Sequence, residues 1–583
     1  MADLDTTCPY DSQSPRCAAP PRWLPGLLLR VGPYRERFVH FYQRLRALPR
    51  RQRRRLRRRL ALTVAAAALL LALSRTPVSA LTITVDNGAV GIAADGQCSL
   101  VEAIINANGG WAHTDCEKGN LSGADTIVLP AGGLFNVPAS FEYYQWDRTG
   151  LPVVTTEITI EGHGATIRRA AGADNFRLMA ISEMGKLTLK EVTLEGGRSS
   201  GNAGGGIRSR GALTIVDSVM RDNTGTAVFA GGDSLTISGS AFEGNDGYDG
   251  GAVRSAAAHF SVSDSLFVAN TSSDIGAGLL IDGGHGEVAG TTFRDNTVNW
   301  KGGGIAIRTG AEVTISRCLI SGNTAENGFG GGLYVYESTA TVVHSTIADS
   351  RGGGISADES VVVVLRSTVS GNEGGGVNSK DGQLTLDNST VSGNSTPYSG
   401  GGVRGYGSEV ILKNATVTHN TAADKGGGLW LGSTFYNPFK LTAERALVTG
   451  NTAPSGSQIY SASAQNVTVN RTNLFGSNGQ SGIVGFTPGA TDLLPPAGVL
   501  TAHILSPVLG DNGGPTQTHA LPAGSLAIDA APSAACAGQT DQRDVARNLD
   551  GDGLASADEC DIGAIEFSPL PTHWKLFLPV TRS

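Results

Sequence analysis

Gly302-Gly303-Gly304-Ile305-Ala306-Ile307-Arg308 is followed by Glu312-Val313-Thr314-Ile315-Ser316 and then by Ile320-Ser321-Gly322-Asn323. The phrase is a glycine run, a short alternating strand, a second alternating strand, and an apolar residue with an Asn three places on. Its closing positions are Asn223, Asn245, Asn270, Asn296, Asn323, Asn372, Asn394, Asn420 and Asn451, with Ser350 in the slot between 323 and 372. Spacings run from 22 to 31 residues. A repeat at this period signals stacking rather than separate globules.

Glycine runs recur at 204–206, 250–251, 302–304, 330–332, 352–354, 374–376, 400–402 and 426–428. They mark tight corners, where a positive φ or close packing excludes a Cβ. The residues after them alternate, so one set points into each coil and the other outward. An Asn at each corner can donate to and accept from the Asn of the next coil, forming a ladder that satisfies turn groups otherwise buried. The pattern predicts an all-β fold, a right-handed single-stranded parallel β-helix. About 11–13 coils at roughly 4.8 Å per strand would extend about 55–60 Å. Propeller blades need about 40 residues per repeat, longer than these. The 80 glycines follow no strict triplet, which excludes collagen.

Charge narrows the function. The formal net charge is -7. Residues 1–80 hold 16 of the 45 basic residues and 4 of the 52 acidic ones, which leaves -19 on residues 81–583. So acidic a body is a poor nucleic-acid binder. Within 1–80, Arg50–Arg59 holds eight Arg and precedes the apolar run Leu60–Leu73, with small residues before Ala80. This reads as a secretion signal cleaved after Ala80. The alternatives are a membrane anchor, which 14 residues span with strain, and a nucleic-acid arm, which the apolar run argues against.

Cys98 with Cys116 and Cys536 with Cys560 are local pairs near the two ends of the mature chain, expected as disulfides in an oxidising compartment. Cys318 is expected to pack as a small hydrophobe in a repeat strand. Near the first pair, Ser99 stands three before Glu102, and Leu100, Ile104 and Ala107 follow helical spacing. A short capping helix is predicted.

Cys98-Ser99-Leu100-Val101-Glu102-Ala103 resembles the CSLREA domain of bacterial exported proteins, with Val101 where the family has Arg. Phe242-x-x-Asn245, Phe267-x-x-Asn270 and Phe293-x-x-Asn296, with Gly250-Gly251-Ala252-Val253, resemble the repeat of polymorphic outer-membrane proteins. Leu505 to Leu521, Asp541-Gln542-Arg543 and Cys560-Asp561-Ile562-Gly563 resemble the choice-of-anchor Q domain, with Asp544 and Asn548 in place of the usual Gly and Pro. These resemblances imply a secreted, cell-surface bacterial protein and carry no established activity. The expected organisation is a basic region and signal at 1–80, a cap at 81–125, the β-helix at 126–477, a C-terminal module at 478–567 and a tail at 568–583.

Three readings concern chemistry. Asn548, Asp550, Asp552, Ser556 and Glu559, with Gly553, meet the oxygen and glycine positions of a calcium loop, so calcium is the one cofactor expected. The alternative is an acidic turn tightened by the Cys536–Cys560 pair. Gly162-His163-Gly164 and Gly284-His285-Gly286 are similar to a tripeptide of pectin-degrading β-helices, yet the acidic motifs that should accompany it are missing, and Asp282 stands alone beside His285. Trp300, Tyr334, Tyr336, Tyr398, Tyr406, Trp430, Phe435 and Tyr436 form a candidate exposed face for sugars or partners; the alternative for each is coil packing. The expectation is therefore a non-catalytic surface protein that binds glycans or cell-surface proteins. The competing reading is a polysaccharide lyase or glycoside hydrolase on a pectate-lyase-like solenoid.

Overall fold

The computed structural model describes residues 81–109, 115–120, 124–199, 204–547 and 559–567. The expected signal with its Ala80 cleavage site, the calcium positions Asn548, Asp550, Asp552 and Ser556, and the tail at 568–583 lie outside these residues. Of the proposed calcium ligands only Glu559 is placed, by its backbone, in a short strand paired to Ala531–Pro532.

Each coil starts with a strand of about four residues, such as Ile305–Arg308. A five-residue strand follows, Glu312–Ser316 in this coil, and then a three-residue strand, Leu319–Ser321. The first strands of successive coils stack in parallel into a 13-stranded sheet, and the other two kinds form a 27-stranded one. Pairing is in register from coil to coil, as in Leu279↔Ile305↔Leu333. Inward residues therefore form columns of like side chains. Phe242, Phe267 and Phe293 stack with centroids 4.6 Å apart at each step.

Two corners hold every coil. At one, a residue in the left-handed region precedes the Asn: Asp295 has φ 57° before Asn296, and Gly322 has φ 65° before Asn323. Each such Asn is buried. The Asn296 amide donates to Phe267 O at 3.0 Å and to Asn323 Oδ1 at 2.9 Å, while its own Oδ1 accepts the Asn270 backbone N–H at 3.0 Å and side-chain N–H at 2.9 Å. The ladder runs from Asn223 to Asn323 and resumes from Asn372 through Asn394 and Asn420 to Asn451, where the Gln458 side chain ends it. Ser350 interrupts it, because its short hydroxyl turns back to Ala348 O instead of reaching Asn323.

At the second corner, between the two strands of the large sheet, hydroxyls do the same work. Ser218, Ser240 and Ser265 each take their backbone N–H to the hydroxyl of the next coil. Cys318 occupies this slot, buried at a corner rather than inside a strand as expected, and its N–H donates to Ser345 Oγ at 3.0 Å.

The strand stacking includes residues expected to form the cap. Leu81–Thr84 pairs in parallel with Asp125–Val128 and so already belongs to the large sheet. The helix Leu100–Ala107 closes this end, begun by the reciprocal Ser99–Glu102 capping box, with Cys98 bonded to Cys116. The Cys536–Cys560 disulfide is formed as well.

The C-terminal residues do not extend the stack. They fold back along the large sheet over a column of outward threonines. Thr368 donates to Gln517 O at 2.6 Å, Thr390 to Gln542 Oε1 at 2.7 Å, and Thr416 accepts the Ala564 N–H at 2.9 Å. Arg547, fully buried, reaches Asn388 at 2.9 Å and pairs with buried Glu566 at 3.6 Å. Burial first, and then the Asp561 carboxylate, push Glu566 upward. Asp544, at a position where the resembled family has Gly, holds φ 67° and sets its carboxylate against Arg366 and His344. His519 accepts from Ser392 Oγ at 2.7 Å, and its Nδ1 donates to Ser506 O at 2.7 Å. This neutral arrangement suits its site: burial, with His419 adding a smaller push, lowers its pKa to about 4.

Asn296→Ala removes four ladder bonds and leaves buried donors unmet, which is expected to cost about 2–4 kcal/mol in denaturant unfolding. Asn296→Ser should cost less, since Ser350 holds an equivalent slot; equal losses for both would contradict the ladder. For His519 the unfolded side chain binds its proton near pH 6.5 and the folded one only near pH 4. Stability is therefore lost as pH falls through this window, by about 3 kcal/mol. His519→Gln should gain about that much relative to the wild type between pH 7 and pH 4. Asp561 and Glu566 titrate in both proteins and cancel, so a flat difference would refute the assignment.

Candidate functional site

Because the coils are in register, the residue after the first apolar one of each glycine-started strand lands in one outward column of the 13-stranded sheet. From end to end it reads Ala180, Arg208, Phe229, Arg254, Leu280, Ala306, Tyr334, Ser356, Asn378, Arg404, Trp430, Tyr460 and Val484. A second column beside it carries Asp358, Lys380, Tyr406 and Gly432.

The middle of the face is closed. A narrow four-stranded sheet of Asp246–Asp249, Thr271–Ile275, Thr297–Val298 and Thr324–Ala325 lies along its edge. Ile275 packs there with Leu280, Ala306 and Tyr334. Tyr334, expected on the exposed face, is only 3% accessible, and its hydroxyl accepts from Lys301 Nζ at 2.8 Å.

Next to this patch is a network of alternating charge. Asp282 Oδ1 accepts from Arg308 Nε at 3.1 Å and Thr309 Oγ1 at 2.7 Å. Its Oδ2 accepts from Arg254 at 2.7 Å and Arg308 at 3.0 Å. Asp249 pairs with the same two arginines at 3.1 and 3.3 Å. Burial alone would raise the Asp282 carboxyl, but the bonds from Arg308, Thr309 and Arg254 outweigh it and hold the group far below the usual carboxylate range. Nearby Asp274 moves the other way, raised by burial and then by Asp249. A carboxyl above its usual value beside one below it is the pattern of acid and base partners. Here, however, both Asp282 oxygens are filled by donors, so it is not poised to take a proton. His285, the other residue of the candidate glycosidase motif, begins the strand His285–Ala289 and meets His259 edge-on at 4.3 Å.

The open part of the face lies toward the C-terminal coils. The Arg404 guanidinium stands 5.4 Å from the Trp430 ring and 5.9 Å from the Tyr406 ring, and these rings lie 5.9 Å apart. All three side chains are half-buried, and Arg404 has no carboxylate partner among the described residues. Lys425 sits 5.1 Å from the Tyr460 ring. The loop after Leu429–Gly432 carries Phe435 and Tyr436, 94% and 85% exposed, in edge contact at 5.1 Å. Its position is fixed from below: Thr434 and Asn437 both donate to Asp381 Oδ1, at 2.7 and 2.9 Å. Tyr398, Trp300 and Tyr336 are also exposed. The aromatic residues were visible in the sequence, but Arg404, Lys425 and the Asp249–Arg254–Asp282–Arg308 network were not. Aligning the second residue after each glycine run would have found Arg404, and Arg208 with it.

Comparisons with known proteins address the scaffold. The family model "Right handed beta helix region" matches residues 158–325, 256–396 and 331–490, more than half of the chain together. Two solved structures are similar. The periplasmic alginate epimerase AlgG shows 12% identity and a TM-score of 0.31 over 64% of this chain and 76% of its own. The pectate lyase Pel9A shows 13% identity and a TM-score of 0.33 over 84% of this chain and 98% of its own. No curated protein matches the sequence. Among the described residues no helix is long and apolar enough to cross a membrane, and no group of three His, Cys, Asp or Glu is placed to hold a metal ion.

Asp282→Asn leaves two half-buried guanidinium groups short of charge. It is expected to lower stability by about 2–3 kcal/mol at pH 7 in urea unfolding. Since its folded pKa is depressed, the contribution is fully present above about pH 4 and fades only as pH falls through the folded value. A variant as stable as the wild type would show the network to be energetically idle.

Proposed function

Since the chain belongs to the right-handed β-helix family, we propose that it is an exported, cell-surface protein that binds glycans on the open end of its 13-stranded sheet without cleaving them. The observation that carries the reading is Arg404 packed beside Trp430 and Tyr406 with no carboxylate among the described residues to neutralise it. The C–H faces of sugars lie flat on such rings, and an arginine at their margin donates to hydroxyl or acidic substituents. Rings held on a sheet lose little conformational freedom on binding, which favours affinity. Phe435 and Tyr436, held by the Asp381 bonds, would extend the platform. Export is supported by the Arg50–Arg59 and Leu60–Leu73 sequence and by the two disulfides. The non-catalytic part of the reading is supported by the saturated oxygens of Asp282.

A glycan array followed by a reducing-sugar and unsaturated-product assay on the bound glycans tests this. Binding without release of either product is expected. Trp430→Ala and Arg404→Ala should each weaken binding by about tenfold or more, the usual cost of truncating an aromatic or arginine anchor. Product release would favour the enzyme reading, and unaltered binding by both variants would move the site elsewhere.

A further inference from the structure

Toward the opposite end of the same column lies more positive charge than the described residues around it neutralise. Arg177 is completely buried, and neither its Nε nor its Nη1 makes a hydrogen bond. Its one ion pair among the described residues is with Asp147, at 3.3 Å. That carboxylate is already shared, accepting from Ser199 Oγ at 2.7 Å and from the Arg148 N–H at 2.8 Å.

Arg208, within electrostatic reach of Arg177, is half-buried and has no carboxylate partner among the described residues. Its Nε is buried without an acceptor. Phe229 supports it from the next coil, 4.7 Å from guanidinium carbon to ring centroid. The two neighbouring arginines offer no relief: Arg254 is paired to Asp249 and Asp282, and Arg210 to Glu183. Burial, and then the repulsion of Arg177 and Arg210, lower the proton affinity of Arg208. Guanidinium donors taken out of water without acceptors are costly, and a fork of N–H groups facing no carboxylate is complementary to a planar or tetrahedral oxyanion.

A second feature adjoins these cations. The hairpin Glu142–Tyr144 and Asp147–Thr149 turns at Gln145 and Trp146, with φ 53° and 66°. It exposes Trp146 at 89% and Tyr143 at 68%, and Phe141 just before it is also exposed. Tyr144 lies within electrostatic reach of both Arg177 and Arg208. Bulky rings left in water beside a guanidinium with no carboxylate partner among the described residues are features of a binding site, not of a packed corner.

We propose that Arg208, backed by Arg177 and flanked by the aromatic hairpin, binds an oxyanion: the carboxylate or sulfate of an acidic saccharide, or a free inorganic oxyanion. Arg208 touches the ligand, while Arg177 acts through its charge from behind. The site does not depend on the glycan reading of the Trp430 end, because the cation excess is present whatever binds there.

Isothermal titration of the full chain with sodium sulfate and with sodium glucuronate, each against sodium chloride of equal ionic strength, tests the site. Saturable binding of at least one is expected: glucuronate assigns a saccharide carboxylate, and sulfate alone assigns a tetrahedral oxyanion. A further titration with glucose 6-sulfate divides the second case into a saccharide ester if it binds more tightly and a free oxyanion if it does not. Arg208→Gln should weaken binding by about tenfold or more, and Arg208→Lys by less, because it keeps the charge and loses the fork. Arg177→Met should weaken binding and also lower the unfolding temperature in chloride, since it breaks the buried pair with Asp147. Should that variant fail to fold, the two Arg208 variants decide. Trp430→Ala should leave these titrations unchanged, which separates failure here from failure at the other end. Binding of neither anion, or Arg208→Gln binding as the wild type does, would overturn the proposal.

Discussion

A coil of some two dozen residues must turn corners beside an apolar core without stranding its peptide groups there. The hydrogen bond from one buried Asn to the next meets that constraint. Its amide spans the coil spacing, donating to a backbone carbonyl on one side and to a neighbouring Asn on the other, while its oxygen takes the N–H that the left-handed residue turns inward. Strand register, the inward columns and the outward face follow from corners that repeat identically. Where the Asn is replaced by Ser350, the strands on both sides keep their register, so the second row of corner hydroxyls carries alignment through the gap.

The fold was legible because this constraint is written in rare local signals: Asn at fixed offsets, glycine runs, and a capping box at Ser99 and Glu102. The hydroxyl corner was not, since Ser and Thr are common at many other places in every coil. The C-terminal fold-back was hidden for a different reason. Thr390 and Gln542 meet across 152 residues, and neither carries a local sign of the other. Tyr334 looked exposed by alternation, and alternation was right about its direction. What it lacked was the extra edge sheet, whose Ile275 covers outward positions that a three-strand coil leaves open.

The candidate face shows the same division. Aromatic residues stand out in the sequence, but Arg404 becomes meaningful only once register sets it beside Trp430, 26 residues on, and Arg208 once it is beside Phe229. The charge on this face is also segmented. Its centre is balanced by Asp249 and Asp282 against Arg254 and Arg308, whereas Arg208 and Arg404 stand unbalanced on either side. A long ligand lying along the coils would meet cation and ring at two separated points, with a neutral, closed stretch between them.

The fold-back of the C-terminal residues has a mechanical meaning. In a simple stack each coil touches only its neighbours, and tension on the last coil peels the stack one turn at a time. Here Gln517, Gln542 and Ala564 are bonded to the coils of Thr368, Thr390 and Thr416 in parallel. Tension entering through the C-terminal end is therefore divided among several turns and loads their bonds in shear. A chain tethered at that end would yield abruptly at a high threshold rather than unravel gradually.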